Sequence, residues 1–219
     1  NPIDLNDVLK EVNTVIHCAA MVSHDVKEEE RMHQVNVLGT KHLVDISIDK
    51  DVERFIHISS VAALGRKVDT NNVTEEDNFV ESKTNSAYAR TKYLSELEVW
   101  RAHYEGLNTC IVNPSVVIAP GDGKRSSSKL LKYVADEKKF YTAGKLNFVD
   151  VRDVAKAVVE LINKKDITGE RIILNAGNIN YQKMFGQIAE RLNTKAPHIK
   201  AGLGLIKLIY WADQLKFFI

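Results

Sequence analysis

Short apolar runs alternate with longer, more polar segments along this chain. Four such runs predict buried strands, near Thr14–Cys18, Arg54–Ser59, Thr109–Asn113 and Arg171–Asn175. Each run has the length of a strand, and the segments between the runs are long enough to hold helices. Strands that alternate with helices are typical of a parallel sheet with right-handed crossovers. The pattern therefore predicts an α/β fold built on a parallel sheet.

A tyrosine and a lysine, Tyr88 and Lys92, stand four residues apart near the start of a predicted helix. Asn85 or Ser86 can cap this helix, and Gly106 can end it in a left-handed conformation. Residues at i and i+4 project from the same helix face, so the phenol and the ammonium address one small region. A nearby cation lowers the pKa of a phenol, which suits the pair to proton transfer. The same spacing also fits a half-packed ring beside a solvated ammonium.

Two polar loops follow predicted strands. The first, Gly65–Asn85, is rich in Asp, Asn, Thr and Glu and has neither a helical nor a strand period. The second, Gly121–Ser128, follows the strand that begins at Thr109. Ligands of open α/β sheets bind beyond the carboxyl ends of the strands. We therefore expect both loops to border a ligand site, the second on its substrate side.

Charge and cysteine usage narrow the range of partners. The 219 residues include 30 Lys and Arg against 29 Asp and Glu, so no broad electrostatic field favours nucleic acid or an acidic membrane surface.

Cys18 and Cys110 both fall in predicted interior strands, where a thiol acts as a small hydrophobe, and a reducing, cytoplasmic compartment is expected. His17 and His57 are predicted to be buried and hydrogen-bonded. Their spacing gives no metal site, and we predict no metal.

Six segments carry a family resemblance, in the same order as in the family and between about Val15 and Ala155. They are VIHCAA, NVLGT, HISSVAALG, YARTK, NPSVVIAPGD and FVDVRDVA. In these segments the chain resembles extended short-chain dehydrogenases/reductases, within the NAD-dependent epimerase/dehydratase and 3-beta-hydroxysteroid dehydrogenase-like group. The resemblance implies a doubly wound, Rossmann-like parallel sheet and NAD or NADP as cofactor.

One departure concerns the glycine-rich phosphate turn of the family, which has no counterpart in this sequence. In relatives that turn follows the first strand, so we expect a fold seen without its first strands and a sequence that belongs to a longer protein. Residues 1–118 are predicted to be the remainder of the dinucleotide-binding domain. Residues 119–219 are predicted to form a mixed substrate-side region with a returning strand and helices.

The resemblance implies a catalytic role for three residues. Ser60 ends a predicted strand, where the family serine hydrogen-bonds the reacting oxygen of the substrate. Tyr88 is expected to give a proton to that oxygen or take one from it. Lys92 is expected to bond the nicotinamide ribose and to lower the pKa of Tyr88. As an alternative, Ser60 is a strand-end hydroxyl that only satisfies a backbone group.

Cofactor contacts are implied at further positions. Besides Tyr88 and Lys92, the family pattern carries over to a set of strand-end residues: Ala19, Ala20, Ser59, Pro114 and Val117. Ala19 and Ala20 let a cofactor approach the backbone, although small residues also suit helix packing. Asn36 either holds backbone or water near the site or packs and caps a helix. Asn113 stands where many relatives carry Arg, a difference without an interpretation at this level.

The C-terminal stretch, residues 202–219, is the most apolar part of the chain. Lys207, Asp213 and Lys216 interrupt it, so it does not read as a membrane span. We predict an amphipathic helix that covers the substrate pocket. A helix lying on a membrane surface is the alternative.

Together these features predict an NAD(P)-dependent oxidoreductase that transfers a hydride at an alcohol or ketone carbon of a small-molecule substrate. A sugar-nucleotide epimerase/dehydratase is one alternative, and a non-catalytic dinucleotide-binding sensor or scaffold is the other. Retention of both Tyr88 and Lys92 favours an enzyme. A homodimer is common among relatives. The choice between NAD and NADP depends on a residue after the second family strand, which has no counterpart here.

Overall fold

The computed structural model describes residues 2–23, 25–65, 72–82, 85–121, 123 and 127–202. Its α-helices are α1 Pro2–Val8, α2 Glu29–His33, α3 Gly39–Asp49, α4 Ala87–Tyr104, α5 Ser128–Ala135, α6 Val151–Asn163 and α7 Tyr181–Leu192. Its strands are β1 Thr14–His17, β2 Arg54–Ile58, β3 Thr109–Pro114, β4 Val116–Ile118, β5 Phe140–Tyr141, β6 Lys145–Asp150, β7 Glu170–Leu174, β8 Gly177–Asn180 and β9 Ile199–Lys200. Short 3₁₀ turns span Val26–Glu28 and Val61–Leu64, and a π-helical segment, Gln34–Leu38, joins α2 to α3.

The main sheet has four parallel strands in the order β1-β2-β3-β7. Its register pairs Phe55 with Val15 on one side and with Thr109 on the other. These four strands lie within one or two residues of the four runs that the apolar pattern indicated. The predicted α/β fold with a parallel sheet is confirmed.

Apolar side chains cover both faces of this sheet. On one face Phe55 and Ile111 pack with Val99 of α4 in a single buried cluster. On the other face Ile56 packs with Leu161 of α6. Successive residues of a strand point to opposite faces, so a strand that is apolar throughout requires helices on both sides. This is the doubly wound arrangement that the family resemblance implied.

A buried arginine ties the sheet to the end of α6. Arg54 is fully buried at the start of β2, and its Nη2 donates to the carbonyl of Leu161 at 3.0 Å. Its Nη1 donates to the carbonyl of Ile167 at 2.8 Å and to the side chain of Asn108. A cation at the carboxyl end of a helix satisfies carbonyl groups that have no partner within the helix.

The chain divides into two compact units. The first comprises residues 1–115 and 151–175, and the second comprises residues 116–150 and 176–219. The sequence expectation was a single boundary near residue 118, whereas α6 and β7 belong to the first unit. In the second unit β6 pairs parallel with β4 and antiparallel with β8, and α7 contributes Met184 and Phe185 to a core of its own.

One cysteine lies where the strand pattern did not place it. Cys110 is buried in β3, as expected, but Cys18 follows the last residue of β1 and is exposed. Both thiols are free. The prediction that Cys18 is an interior residue is therefore wrong, because β1 ends one residue earlier than the apolar run suggested.

Several predictions fall on residues outside the described ranges. These are 203–219 of the predicted C-terminal helix, 66–71 and 83–84 of the first polar loop, and 122 and 124–126 of the second. Within the described ranges, no helix combines the length and the apolar character that crossing a membrane requires.

Candidate active site

The helix that carries Tyr88 and Lys92 begins and ends as its sequence predicts. Ser86 has extended backbone angles, and its side chain accepts a hydrogen bond from the amide of Ala89 at 3.1 Å. Gly106 follows the helix with φ of 104°, a conformation that favours glycine. The N-cap places Tyr88 in the first turn of α4. Its ring therefore projects from the end of the helix nearest the carboxyl edge of the parallel sheet.

Ser60 meets Tyr88 at this edge. Ser60 lies two residues beyond the end of β2, in extended conformation, and its Oγ accepts from the amide of Ala62 at 3.2 Å. This bond caps the 3₁₀ turn that follows and fixes the serine rotamer. The Ser60 side chain also lies close enough to the side chain of Tyr88 to lower the pKa of the phenol. Two hydroxyl groups from different elements thus converge where a ligand of an α/β sheet binds.

The phenol of Tyr88 is held in its neutral form. Burial raises its pKa above the ordinary value of 10.0, and the nearby Ser60 side chain opposes that rise. The direction is opposite to the one that we proposed from the sequence, in which Lys92 lowers the pKa of Tyr88. The reason is that desolvation of a partly buried phenol outweighs the favourable interactions around it. In this state Tyr88 is a proton donor.

Lys92 is one helical turn further along α4 and only 2 % exposed. Its Nζ donates to the carbonyl of Ile58, the last residue of β2, at 2.8 Å. Burial lowers the pKa of Lys92 from 10.5 to about 8, against the opposing effects of Glu96 and Cys18. Most of the lysine is therefore still a cation at pH 7. The ammonium of Lys92 therefore places a buried positive charge beside the carboxyl end of β2.

Two histidines lie beside this lysine and add no charge. The rings of His17 and His57 are 5.1 Å apart, and their Nε2 atoms bond the side chains of Thr40 (2.8 Å) and Ser95 (3.2 Å). Burial, and then the Lys92 cation, lower the pKa of His17 from 6.5 to about 4. The same causes lower the pKa of His57 well below 6.5. The prediction that both histidines are buried and hydrogen-bonded is confirmed.

Asn36 holds the backbone that follows β1. Its side chain accepts from the amide of Met21 at 2.7 Å and donates to the carbonyl of the same residue at 2.9 Å. It also donates to Thr91 Oγ1 of α4 at 3.0 Å. Asn36 lies within the π-helical segment, which often marks a functional site. Of the two roles that the sequence left open, the structure shows the one in which Asn36 holds backbone.

The remaining predicted cofactor residues lie at strand ends. Ala19 and Ala20 follow β1 and are exposed. Ser59 is buried after β2, and its amide donates to the carbonyl of Val112 at 2.7 Å. Pro114 is the last residue of β3 and is buried, and Val117 lies in β4 of the second unit. Of the predicted set, the structure brings Ser60, Tyr88 and Lys92 together in the first unit.

The chemistry of this sheet edge fits a dinucleotide. Ala19 and Ala20 are exposed and have small side chains, as a close approach of ribose or phosphate requires. Ser115, directly after β3, is 6 % exposed, and its Oγ has no hydrogen-bond partner among the described residues. A buried hydroxyl without a partner is costly, and a polar ligand group would satisfy it. Lys92 adds a cation that can donate to ribose hydroxyls.

Sequence reasoning missed Glu96. This residue is 1 % exposed and lies one turn beyond Lys92, so positions 88, 92 and 96 share one face of α4. Burial raises the pKa of Glu96 above its ordinary value, and hydrogen bonds and the charges of Arg171 and Lys92 only partly oppose that rise. The i, i+4, i+8 spacing was the available signal. A glutamate eight residues after the tyrosine looked like one of many solvated charges on a helix.

Known proteins resemble the chain in sequence and in structure. The model of the NAD-dependent epimerase/dehydratase family matches residues 1–177. A Synechocystis sp. protein with the provisional name dihydroflavonol 4-reductase is 31 % identical over 219 residues, covering 98 % of this chain and 64 % of its own length. The crystal structure of gox2253 is 31 % identical with a TM-score of 0.80, and the match covers 91 % of this chain and 61 % of that one.

A more distant structure shares the fold. UDP-glucuronic acid 4-epimerase from Bacillus cereus, in complex with NAD, has a TM-score of 0.79 at 20 % identity, with 92 % of this chain and 67 % of that chain covered. The chain thus spans less than two thirds of the length of its two more similar relatives. The family match covers most of the chain and confirms the resemblance that the six motifs carried. The chain belongs to the NAD-dependent epimerase/dehydratase family.

Proposed function

We propose that the protein is an NAD(P)-dependent oxidoreductase that transfers a hydride at an alcohol or ketone carbon of a small-molecule substrate. The observation that carries the proposal is the convergence of Ser60 and Tyr88 at the carboxyl edge of the parallel sheet, with buried Lys92 one turn away and bonded to the end of β2. The reductase name of the Synechocystis sp. relative supports the same reaction class. The cell compartment that fits this chemistry is the cytoplasm.

Each of the three residues has a distinct role in ketone reduction. The hydroxyls of Ser60 and Tyr88 bind the substrate oxygen and orient the carbonyl. Tyr88, neutral because burial raises its pKa, gives its proton to that oxygen as the alcohol forms. The Lys92 cation stabilises the phenolate that is left. In alcohol oxidation the same proton returns to Tyr88.

The dinucleotide, NAD or NADP, supplies or accepts the hydride when it is bound. The residues of the first unit that would hold it are Ala19 and Ala20 after β1, Ser59 after β2, and Pro114 at the end of β3. Lys92 would donate to its ribose. These contacts follow from the family pattern, as does the expectation for Val117 of β4, and from the exposure of Ala19 and Ala20.

The test uses the complete protein. Binding of NADH and NADPH is measured by the change in nicotinamide fluorescence, and ketones and sugar nucleotides are then screened for a change in nicotinamide absorbance. Replacement Tyr88→Phe is expected to lower turnover by about 10²- to 10⁴-fold, the range for loss of a general acid. Tyr104→Phe is the matched control, because Tyr104 is on the same helix and 86 % exposed. It is expected to turn over like the parent.

Three outcomes would count against this function. Failure to bind either dinucleotide would leave no oxidoreductase. Dinucleotide binding without turnover of any substrate would favour a sensor or scaffold. Turnover of sugar nucleotides alone, with no net change in nicotinamide absorbance, would favour an epimerase. Equal turnover in Tyr88→Phe and Tyr104→Phe would remove the acid role from Tyr88.

A further inference from the structure

An asparagine of β3 joins Ser60 to the helix that carries Tyr88. Asn113 is fully buried, and its Nδ2 donates to the carbonyl of Ser60 at 2.9 Å and to Glu96 Oε1 at 2.6 Å. A side-chain amide nitrogen has two hydrogens, so these two bonds use its whole donor capacity. At one end of this bridge is the main-chain carbonyl of Ser60. At the other end is the side chain of Glu96, two turns beyond Tyr88 on α4.

Glu96 is the fixed point of this bridge. It lies on the face of α4 that carries Tyr88 and Lys92, and with 1 % exposure it cannot exchange Asn113 for water. A charged acceptor makes a shorter and stronger hydrogen bond than a neutral one. The 2.6 Å distance to Asn113 agrees with such a bond. The carbonyl of Ser60 is therefore tied to α4 through Asn113, which bonds both that carbonyl and Glu96.

Arg171 of β7 closes the network from the other side. Its Nε lies 3.9 Å from Glu96 Oε2, and its guanidinium lies 5.8 Å from the ring centre of Trp100. Its Nη1 donates to the carbonyl of Asp77 in the first polar loop at 3.2 Å. Arg171 itself is 13 % exposed. The carboxylate thus has a cation beside the oxygen that Asn113 does not use.

We propose that Glu96, Asn113 and Arg171 form a positioning network that holds the main chain of Ser60 against the helix carrying Tyr88. None of the three touches the reacting atoms; they act through Ser60. The inference rests on the proposed function, because it assigns these residues a task in the same reaction. It also gives the buried amide of Asn113 a task in this chain.

The test is a double-mutant cycle of turnover with Glu96→Leu and Ser60→Ala. A 1 Å misplacement of a reacting group can cost about 10²-fold, so Glu96→Leu in the parent is expected to lower kcat by about 10- to 100-fold with little change in substrate KM. In the Ser60→Ala background the same replacement is expected to have almost no further effect, since the group it positions is already gone. Equal losses in both backgrounds would overturn the proposal.

Two conservative variants separate positioning from folding. Glu96→Gln keeps an oxygen that accepts from Asn113, so it is expected to restore most of the turnover lost in Glu96→Leu. Glu98→Leu, on the same helix but outside the network, is expected to turn over like the parent. If Glu96→Leu does not fold, Asn113→Leu takes its place in the cycle, and thermal unfolding of every variant is recorded. A Glu96→Gln variant as poor as Glu96→Leu would also overturn the proposal.

A second readout needs neither cofactor nor substrate. The phenolate titration of Tyr88 is isolated as the absorbance difference between a protein and its Tyr88→Phe partner. The nearby Ser60 side chain lowers the pKa of Tyr88, so loosening Ser60 is expected to move this titration to higher pH. Asn113→Leu changes no charge and is expected to shift it upward, as Ser60→Ala does. If the titration does not shift in Asn113→Leu, the proposed network is refuted. This result does not depend on whether turnover of Tyr88→Phe has already refuted the proposed function.

Discussion

Two helices pack on opposite faces of the same sheet and bury opposite kinds of side chain. Helix α6 buries Val154, Val158 and Leu161, all of them apolar. Helix α4 buries Lys92 and Glu96, together with Thr91, Ser95 and a few small apolar residues. Both helices contact β3, so the difference in their buried side chains does not arise from packing against different strands.

The comparison separates stability from function within one sheet. Burying a Val or Leu side chain contributes about 1.5 to 3 kcal/mol each, so the α6 face stabilises the fold. Burying a cation or a carboxylate is unfavourable unless it is hydrogen-bonded and paired. Helix α4 accepts that cost at Lys92 and Glu96, where the carbonyl of Ile58 and the amide of Asn113 supply the bonds. The polar interface is where the proposed chemistry lies.

The largest expected effect is on stability, at α6. Leu161 is 5 % exposed and belongs to the cluster with Ile56, Cys110 and Val112. Leu161→Ala removes buried apolar area and leaves a cavity, so it is expected to lower the free energy of unfolding by about 2 to 5 kcal/mol. The turnover of the molecules that remain folded is expected to be unchanged. Urea unfolding and kcat per folded protein measure the two quantities.

Val159→Ala is the control for this prediction. Val159 is on the same helix but 57 % exposed, so its replacement is expected to change stability by less than about 0.5 kcal/mol. If Leu161→Ala lowered kcat while the protein remained folded, the separation between the two faces would fail.

A smaller effect is expected at α4, and it depends on pH. The pKa of Lys92 is about 8 in the folded protein and 10.5 as its ordinary value, so between these values the unfolded chain binds more protons. Stability therefore rises with pH through this window: the cost of the buried cation is fully present below about pH 8 and disappears above about pH 10.5. A difference of this size corresponds to about 3 kcal/mol.

Replacement Lys92→Met is expected to abolish this rise. The free energy of unfolding is measured by urea titration from pH 7 to pH 10.5 for the parent and the variant, and the difference between them isolates the lysine. Lys156→Met, which removes an exposed lysine of α6, is expected to follow the parent. A parent and a Lys92→Met variant with parallel pH profiles would show that the α4 face carries no such cost.

The central strands of the first unit, β2 and β3, could be predicted from sequence because they are buried on both faces. Their apolar residues are consecutive along the chain, and each of these strands pairs parallel with its neighbours. In the second unit β5 and β9 have two residues each, and their pairing joins residues 140 and 199. Such short strands form only through distant partners, so local pattern does not reveal them.

The same distinction applies to the candidate site. The spacing of Tyr88 and Lys92 and the strand-end position of Ser60 are local features, and the sequence displayed them. The bridge from Asn113 to Glu96 depends on how β3 lies against α4, which no local pattern contains. The pKa of Tyr88 also depends on how deeply the ring is buried, which no local pattern contains. No sequence pattern indicated that Asn36 lies in a π-helical segment, because that conformation also depends on contacts between elements.

The smallest expected effect tests whether the first turn of α4 matters more to chemistry than to stability. Ser86→Ala removes the side chain that caps Ala89 and is expected to lower the free energy of unfolding by about 1 kcal/mol. Because Tyr88 lies in that turn, fraying there is expected to lower kcat as well. Ser86→Asp keeps a capping oxygen and places a negative charge at the helix start, so it is expected to match the parent.

The cap of α7 provides the matched comparison. Asn180 caps α7 by accepting from the amide of Lys183 at 2.7 Å, so Asn180→Ala is expected to cost a similar free energy of unfolding, about 1 kcal/mol. Asn180→Ala frays α7, which carries none of the proposed catalytic residues, so kcat is expected to stay at the parent value. Equal losses of kcat in Ser86→Ala and Asn180→Ala would mean that turnover follows global stability. A loss confined to Ser86→Ala would place the sensitivity in the turn that holds the phenol beside Ser60.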